Sequence, residues 1–422
     1  MKKFILIWIG ELISSIGSGM TAFALSVYIF AETGSVTYVS LVTLFSYLPT
    51  ILLSPLGGAL ADRYDRRILM VIGDLFSGLG LVFVLWEIDR GDGSVLPILL
   101  GVGFSAVFVA LLEPSFKATI TDLLTEEEYA RASGMVQMAG NARYLISPAL
   151  AGILLAVSDI RLILLLDIAT FFVTVTTVLI VRRSIQKPIK REREKLGHAL
   201  AEAFSAMKNT RGVLSLVLLM AGVCFFVGFL QTLTEPMILS VSDAKTAGLM
   251  ESFCAVGMLA GSVVIGVVGI KRDYTRVLGL AGVLGGLFMA LAGVNKSLII
   301  TGAGIFLFFL FLPFINTCAD VLIRLSIPNE LQGRVWGLIS LLSQLGTVIA
   351  YAFGGVAADH LFEPLFREEG ALADSLGRLI GTGAGRGIGF MLILSGLGMA
   401  VSAALIGRDR NIRSIEEKEI RE

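Results

Sequence analysis

The sequence predicts an all-α membrane protein, twelve transmembrane helices arranged as two pseudo-symmetric six-helix bundles, and three observations carry that prediction. The first is composition: 55% of the 422 residues are hydrophobic and only 16% charged, against roughly 25% charged in soluble domains. Water is not the solvent for most of this surface. The second is that twelve stretches are long and apolar enough to span a bilayer, where about 20 residues are needed and unpaired backbone groups find no water. The third is an internal repeat. Arg131-Ala132-Ser133-Gly134 through Leu150-Ala151-Gly152 parallels Arg334-Val335-Trp336-Gly337 through Phe353-Gly354-Gly355, with Glu127 falling on Glu330.

The first half, residues 1–181, holds segments at 4–30, 37–60, 68–88, 95–116, 132–157 and 161–181. The opening segment follows Lys2-Lys3 and contains Ala22-Phe23-Ala24, which together invite a reading as a cleaved leader. Glu11 and the run Ser14-Ser15-Ile16-Gly17-Ser18 interrupt the apolar core that a leader needs, and its removal would leave an odd helix count that spoils the repeat. Residues 182–212 form a basic linker, starting with Arg182, Arg183, Lys187, Lys190, Arg191, Arg193 and Lys195. Leu196, Leu200, Phe204 and Met207 then recur on one face, which predicts an amphipathic helix lying along the membrane surface or spacing the two halves in solvent. The second half, 213–407, holds segments at 213–240, 246–270, 276–294, 298–323, 334–357 and 387–407, and 408–422 is a charged tail. The long connection 358–386 predicts a short helix plus a turn. Its run Gly381-Thr382-Gly383-Ala384-Gly385-Arg386-Gly387 follows no strand and is no nucleotide fingerprint.

Orientation follows from the basic residues. Taking both termini as cytoplasmic, 26 of the 34 Lys and Arg fall in cytoplasmic pieces, seven in outside loops, and Arg143 lies within the membrane. Acidic and basic residues are equal in number, at 34 each, so net charge favours neither nucleic acid nor an acidic partner. Cys224, Cys254 and Cys318 all fall inside apolar segments as small core residues, without paired metal-ligand spacing. His198 and His360 lie outside the membrane. With no metal cluster, nucleophile triad or phosphate loop, the sequence predicts neither an enzyme nor a cofactor. Duplicated membrane halves instead point to a secondary transporter.

Between the second and third segments runs Gly58-Ala59-Leu60-Ala61-Asp62-Arg63-Tyr64-Asp65-Arg66-Arg67. Gly58 permits close helix approach, Asp62 can cap a helix N-terminus or pair with an arginine, and Arg66 and Arg67 suit the inner leaflet. This stretch resembles the signature loop of the major facilitator superfamily, whose fold is therefore expected here, with the loop as a conformational latch of Gly58, Asp62, Arg63, Arg66 and Arg67, served by Asp74 of the third segment. Asp65 stands where that family usually has glycine. A worn second copy runs from Gly266 through Lys271-Arg272-Asp273-Tyr274-Thr275-Arg276, and Gly354-Gly355-Val356-Ala357-Ala358-Asp359 ends the eleventh segment. Ile327-Pro328-Asn329-Glu330-Leu331-Gln332-Gly333-Arg334-Val335 and Asp359-His360-Leu361-Phe362-Glu363-Pro364-Leu365 narrow the resemblance to the drug-exporter branch containing Mef-type macrolide efflux and enterobactin-type siderophore exporters. The arginine-rich fourth-helix motif of other drug/proton antiporters is missing, so their relay residues do not transfer.

Charges within the bilayer are functional candidates, because an unpaired one costs about 2.5 to 3.5 kcal/mol even on insertion scales. Glu11 lies roughly 10 Å into the first segment, and Glu113 is at similar depth in the fourth. The resemblance places the first, fourth, seventh and tenth helices around a central cavity, so Glu11 and Glu113 are candidates for proton coupling, or else separate acids held by serines and caps. Arg143 of the fifth segment needs a partner, for which Glu11, Glu113 and Asp167 compete. Gln231 and Glu235 share a face of the seventh segment, and Asn316 and Asp320 a face of the tenth. With Phe104, Phe108, Phe226 and Phe309 they form the candidate solute-binding set, suited to a bulky amphipathic solute. Gly257 and Gly261 are spaced for close helix packing.

The resemblance thus implies a monomeric multi-pass protein of the bacterial inner membrane, exporting drug-like or macrolide-like solutes against protons and so contributing to antibiotic resistance. Its expected partners are the solute, protons and lipids, with no nucleic acid. The rivals are a siderophore exporter, which calls for more basic residues in the cavity, a lysolipid flippase with a lateral opening, and a non-transporting receptor or scaffold.

Overall fold

The computed structural model describes residues 1–182, 213–270, 272–327 and 329–408, together with Ile412 and Glu416. Regular structure among the described residues is entirely helical. The elements are α1 (Lys2–Thr33), α2 (Val36–Ala61), α3 (Arg66–Arg90), α4 (Val95–Leu123), α5 (Glu126–Leu145), α6 (Ser147–Val157), α7 (Ile160–Arg182), α8 (Val213–Leu239), α9 (Ala244–Val268), α10 (Tyr274–Gly293), α11 (Leu298–Ser326) and α12 (Asn329–Ala357). A π-helical turn, Ala358–Phe362, leads into the short α13 (Glu363–Leu365) and α14 (Gly377–Ile380), and α15 (Arg386–Ile406) closes the series.

Twelve helical spans among the described residues are long and apolar enough to cross a membrane, and each overlies one predicted segment. The fourth and eleventh run further than predicted, to Leu123 and Leu365. Hydropathy marks where a helix leaves apolar surroundings, whereas its hydrogen bonds continue until a cap stops them. The fifth span is broken at Ile146 between α5 and α6, where Pro148 has no N–H to donate to the residue four back. The linker helix predicted around Leu196, Leu200, Phe204 and Met207 lies outside the described residues.

Local chemistry explains the ends. Gly34 takes the left-handed conformation (φ 61°) and its N–H closes α1 on Phe30 O at 2.8 Å. Thr125 and Glu128 form a capping box at the start of α5. Asp243 accepts from Thr246 N at 2.8 Å ahead of α9, and that hydrogen bonding holds its carboxyl below the usual carboxylate range. The N-terminus of α10 follows Asp273, which has φ 59°. It is capped from the tail: Glu416 Oε1 and Oε2 accept from Tyr274 N (2.8 Å) and Thr275 N (3.3 Å).

The chain forms two compact units, Met1–Glu192 with Ser242–Ser252, and Arg193–Val241 with Phe253–Glu422. In the first unit α1 packs on α7, and α4 on both α2 and α3. Phe4, Ile7, Met70, Phe116, Val178 and Val181 form a buried cluster drawn from α1, α3, α4 and α7. In the second unit α10 packs on α11 and α15, and α8 on α12. Large apolar side chains such as Leu52, Phe172, Val267 and Ile299 stay exposed, as expected where lipid replaces water.

Gly257 and Gly261 do bring helices together. A Cβ at Gly257 would strike Phe306 O, and one at Gly261 would strike Leu310 O, both backbone atoms of α11. Backbone cannot rotate aside as a side chain can. Gly261→Val is therefore expected to destabilise by about 1 to 3 kcal/mol or more through overpacking, read as a lower thermal midpoint and loss of the monodisperse peak in detergent. An unchanged midpoint would contradict the close α9–α11 approach.

Candidate functional site

The first unit carries its acids at several depths. On α1, Gly10 abuts Thr174 and Thr177 of α7, and Gly17 abuts Asp167 and Thr170. The two helices therefore run antiparallel, with Glu11 and Asp167 separated along their axes by about 10 Å. Asp167 is 1% exposed. Its Oδ1 accepts from Ser18 Oγ (3.2 Å) and Thr170 Oγ1 (3.4 Å), while its Oδ2 is buried without a hydrogen bond at normal distance, with the similarly buried Thr21 hydroxyl acting on the same carboxyl. Asp74 of α3 is 2% exposed, and its Oδ2 meets no donor. The charges that act on it most are those of Glu11 and then Asp167, both acids.

Glu11 is half-buried and feels the charge of Glu113 from α4. Glu113 is itself exposed and pairs with Lys117 one turn on, at 2.6 Å. Arg143 is exposed on α5; of its three proposed partners it is Asp167 on which its charge acts.

The α2–α3 loop is an ion network within the same unit. Arg66 Nη1 meets Asp122 Oδ1 at 2.7 Å and also donates to Ala118 O at 2.7 Å. Arg67, 3% exposed, meets the other oxygen of Asp122 at 3.2 Å. One carboxylate at the end of α4 thus clamps two arginines of α3. Asp62 is exposed and pairs with Arg66 at 3.7 Å, and Arg63 is exposed. Asp65 caps α3, accepting from Arg67 N at 3.1 Å, and meets Arg182 Nε of α7 at 2.9 Å. The residue that departs from the expected glycine therefore ties α3 to α7, with a carboxylate where the helix dipole favours one. The close approach expected of Gly58 belongs to its neighbour: a Cβ on Gly58 would meet nothing, whereas one on Gly57 would strike Ala110 O of α4. Asp74 lies two turns along α3 from the loop arginines, and the charges that act on it are those of Glu11 and Asp167, not of Asp122.

In the second unit a cavity of about 320 Å³ is walled by Leu218, Gly222 and Phe226 of α8, Leu278 and Gly282 of α10, Ile315 of α11 and Met399 of α15, with the hydroxyls of Ser215 and Ser402. Of the predicted solute-binding set, Phe226 lines it. Gln231 accepts from Tyr351 OH at 2.6 Å, bridging α8 to α12. Glu235 is buried. Phe309 packs edge-on to Phe308, Asn316 is exposed, and Asp320 lies 3.9 Å from Arg324. In the first unit Phe108 stacks on Phe76 at 4.8 Å and touches the exposed Phe104.

Residues 7–351 match the family model described as Major Facilitator Superfamily. The chain belongs to the Major Facilitator Superfamily. Among similar proteins, "Macrolide efflux protein A" of Streptococcus pyogenes is 24% identical over 85% of this chain and 90% of its own length. "Enterobactin exporter EntS" of Salmonella typhi is 24% identical over 83% of this chain and 85% of its own. The fold is shared with a bacterial homolog to the human lysosomal transporter Spinster, at TM-score 0.72 and 14% identity, covering 99% of this chain and 98% of that one. This superfamily member is accordingly a multi-pass membrane protein, and its family and fold are those of a transporter.

Two features of this transporter escaped the sequence reading. Asp122 was hidden because it lies at the charged end of α4, where an acid draws no notice. Glu251 sits inside the α9 span, so the rule that singled out Glu11 applies to it equally. Beside it, Ser252 Oγ accepts from Ala149 N at 3.0 Å.

Proposed function

We propose that the protein is a secondary active exporter that moves a bulky amphipathic, drug-like or macrolide-like solute out of the cytoplasm by alternating access, in exchange for protons. The observation that carries this reading is the similarity along most of the chain to proteins named as macrolide and enterobactin exporters, joined to carboxylates inside spans that have no need of charge for folding. Both termini are taken as cytoplasmic, residues 1–181 and 213–407 as the two moving bundles, the 182–212 linker as their connector, and the monomer as the working unit.

Glu11 and Glu113 would exchange protons against solute, with Arg143 biasing which state holds them. Phe104, Phe108, Phe226, Gln231, Glu235, Phe309, Asn316 and Asp320 supply apolar surface and a few polar points for the solute. Gly58, Asp62, Arg63, Arg66, Arg67 and Asp74 belong to the latch that opens and closes with the cycle. One proton moving down 100 mV supplies about 2.3 kcal/mol, and each pH unit adds about 1.36 kcal/mol, enough to hold a useful outward gradient. The relative named as an enterobactin exporter supports a second reading, a siderophore as cargo.

The test is extrusion of a panel of amphipathic compounds, macrolides included, from cells expressing wild type, Glu11→Gln or Glu113→Gln, with and without an uncoupler. Uncoupler-sensitive extrusion that is lost in either variant is expected. Extrusion unchanged in both would sink the coupling pair, and no extrusion of any compound by wild type would turn the reading to the siderophore.

A further inference from the structure

Asp74 and Asp167 are not explained by packing. Each is at least 98% buried, on separate helices of the first unit, and each keeps one carboxylate oxygen without a hydrogen bond at normal distance. A buried carboxylate oxygen left without a donor is costly, and more so for an ion. The surrounding charges do not relieve it. Asp74 feels the charges of Glu11 and Asp167; Asp167 feels that of Arg143 from α5; Glu113 from α4 acts on Glu11. Four acids of α1, α3, α4 and α7 therefore share one electrostatic neighbourhood, with Arg143 as a counter-charge and with Lys117 engaged by Glu113.

Something must neutralise the two orphaned oxygens. Among the described residues no group of three or more His, Cys, Asp or Glu is placed to hold a metal ion. A proton fits, because it removes the buried charge and makes the oxygen an O–H donor, for which the buried Thr21 hydroxyl is an available acceptor at Asp167. We propose that Asp74 and Asp167 are proton-binding sites inside the first unit, in the same electrostatic neighbourhood as Glu113 and Glu11. Ser18 and Thr170 hold Asp167 by its other oxygen, so its proton sits on Oδ2. The hydroxyl pair Ser77 Oγ and Ser105 Oγ, 2.7 Å apart and one turn along from Asp74, makes no hydrogen bond to Asp74 Oδ2.

This rests on the reading of the chain as proton-coupled only in its functional sense; the binding itself is open to test without any solute. The full-length protein in lipid nanodiscs would be examined by infrared difference spectroscopy during a pH titration. A protonated-carboxyl band from a water-poor environment is expected in wild type, shifted when the aspartates carry a carbon-13 carboxyl label and diminished in both Asp74→Asn and Asp167→Asn, but retained in Glu113→Gln. The label assigns the band to aspartate even if one asparagine variant fails to fold, and the other variant then assigns it to its residue. A band that the label does not move, or the absence of any such band, would overturn the proposal. Should the band behave as expected while extrusion proves insensitive to an uncoupler, the sites stand and the proton-exchange reading falls.

Discussion

Asp122→Ala is expected to be the most damaging single substitution in the first unit outside its apolar core. It removes the carboxylate that both Arg66 and Arg67 engage, at 2.7 and 3.2 Å. Arg67 is 3% exposed, so it would be left as a buried cation with Asp65, 3.9 Å away, as the one acid in ion-pair reach among the described residues. Removing one partner from a fully buried pair costs about 3 to 5 kcal/mol, most of it the penalty of the charge left behind; because Asp122 is partly exposed, the lower end is expected here. Cys254 and Cys318 are buried and Cys224 half-buried, which suits a thiol-reactive dye that reports unfolding on heating. The midpoint of Asp122→Ala should fall by about 5 °C or more. The double variant Asp122→Ala with Arg67→Met should recover much of the loss, since it removes the stranded charge as well. A single variant as stable as wild type would mean that the pair is solvated and the loop is held by other means.

Glu363→Ala should have an effect of similar size in the second unit. Glu363 Oε1 accepts from Ile388 N at 3.0 Å and Oε2 from Gly385 N at 3.3 Å, fixing the start of α15 to the connection that follows α12. It is also the acid whose charge acts on Arg386. Arg386 is 2% exposed and donates to Ile380 O at 3.1 Å. Truncation leaves the Ile388 and Gly385 amides without their acceptor, a loss of about 1 to 3 kcal/mol for each one left unsatisfied, and removes the acid whose charge acts on Arg386. The dye melt reads the stability, and limited proteolysis between residues 366 and 385 reads the release of the connection. Faster cleavage there at an unchanged melting midpoint would show that Glu363 tethers the loop but does not support the fold.

The membrane architecture was readable because the bilayer imposes it residue by residue. Hydrocarbon admits only helices with their backbone bonds closed and a minimum apolar length, so each span announces itself within a window of sequence. The loop Gly58 to Arg67 was equally legible, being contiguous. The break beside Pro148 was not: Pro49, Pro55, Pro114, Pro236 and Pro313 sit inside unbroken helices, so proline alone does not say where a span parts.

The site was far less legible, and the reason is rotation about the helix axis. One residue turns a side chain by about 100°, so Gly57 packs on α4 while Gly58 faces open space. Glu11, Asp74, Glu113 and Asp167 all read as acids in spans, yet two are sealed from solvent and Glu113 is exposed beside Lys117. Which of them meets a donor, a cation or nothing depends on neighbours from helices far away in the chain. Asp122 and Arg182 join the loop only because α4 and α7 end beside it. Span number, span position and family membership follow from local hydropathy and a contiguous motif; the partners of each buried charge follow from how the helices turn against one another, which no window of sequence contains.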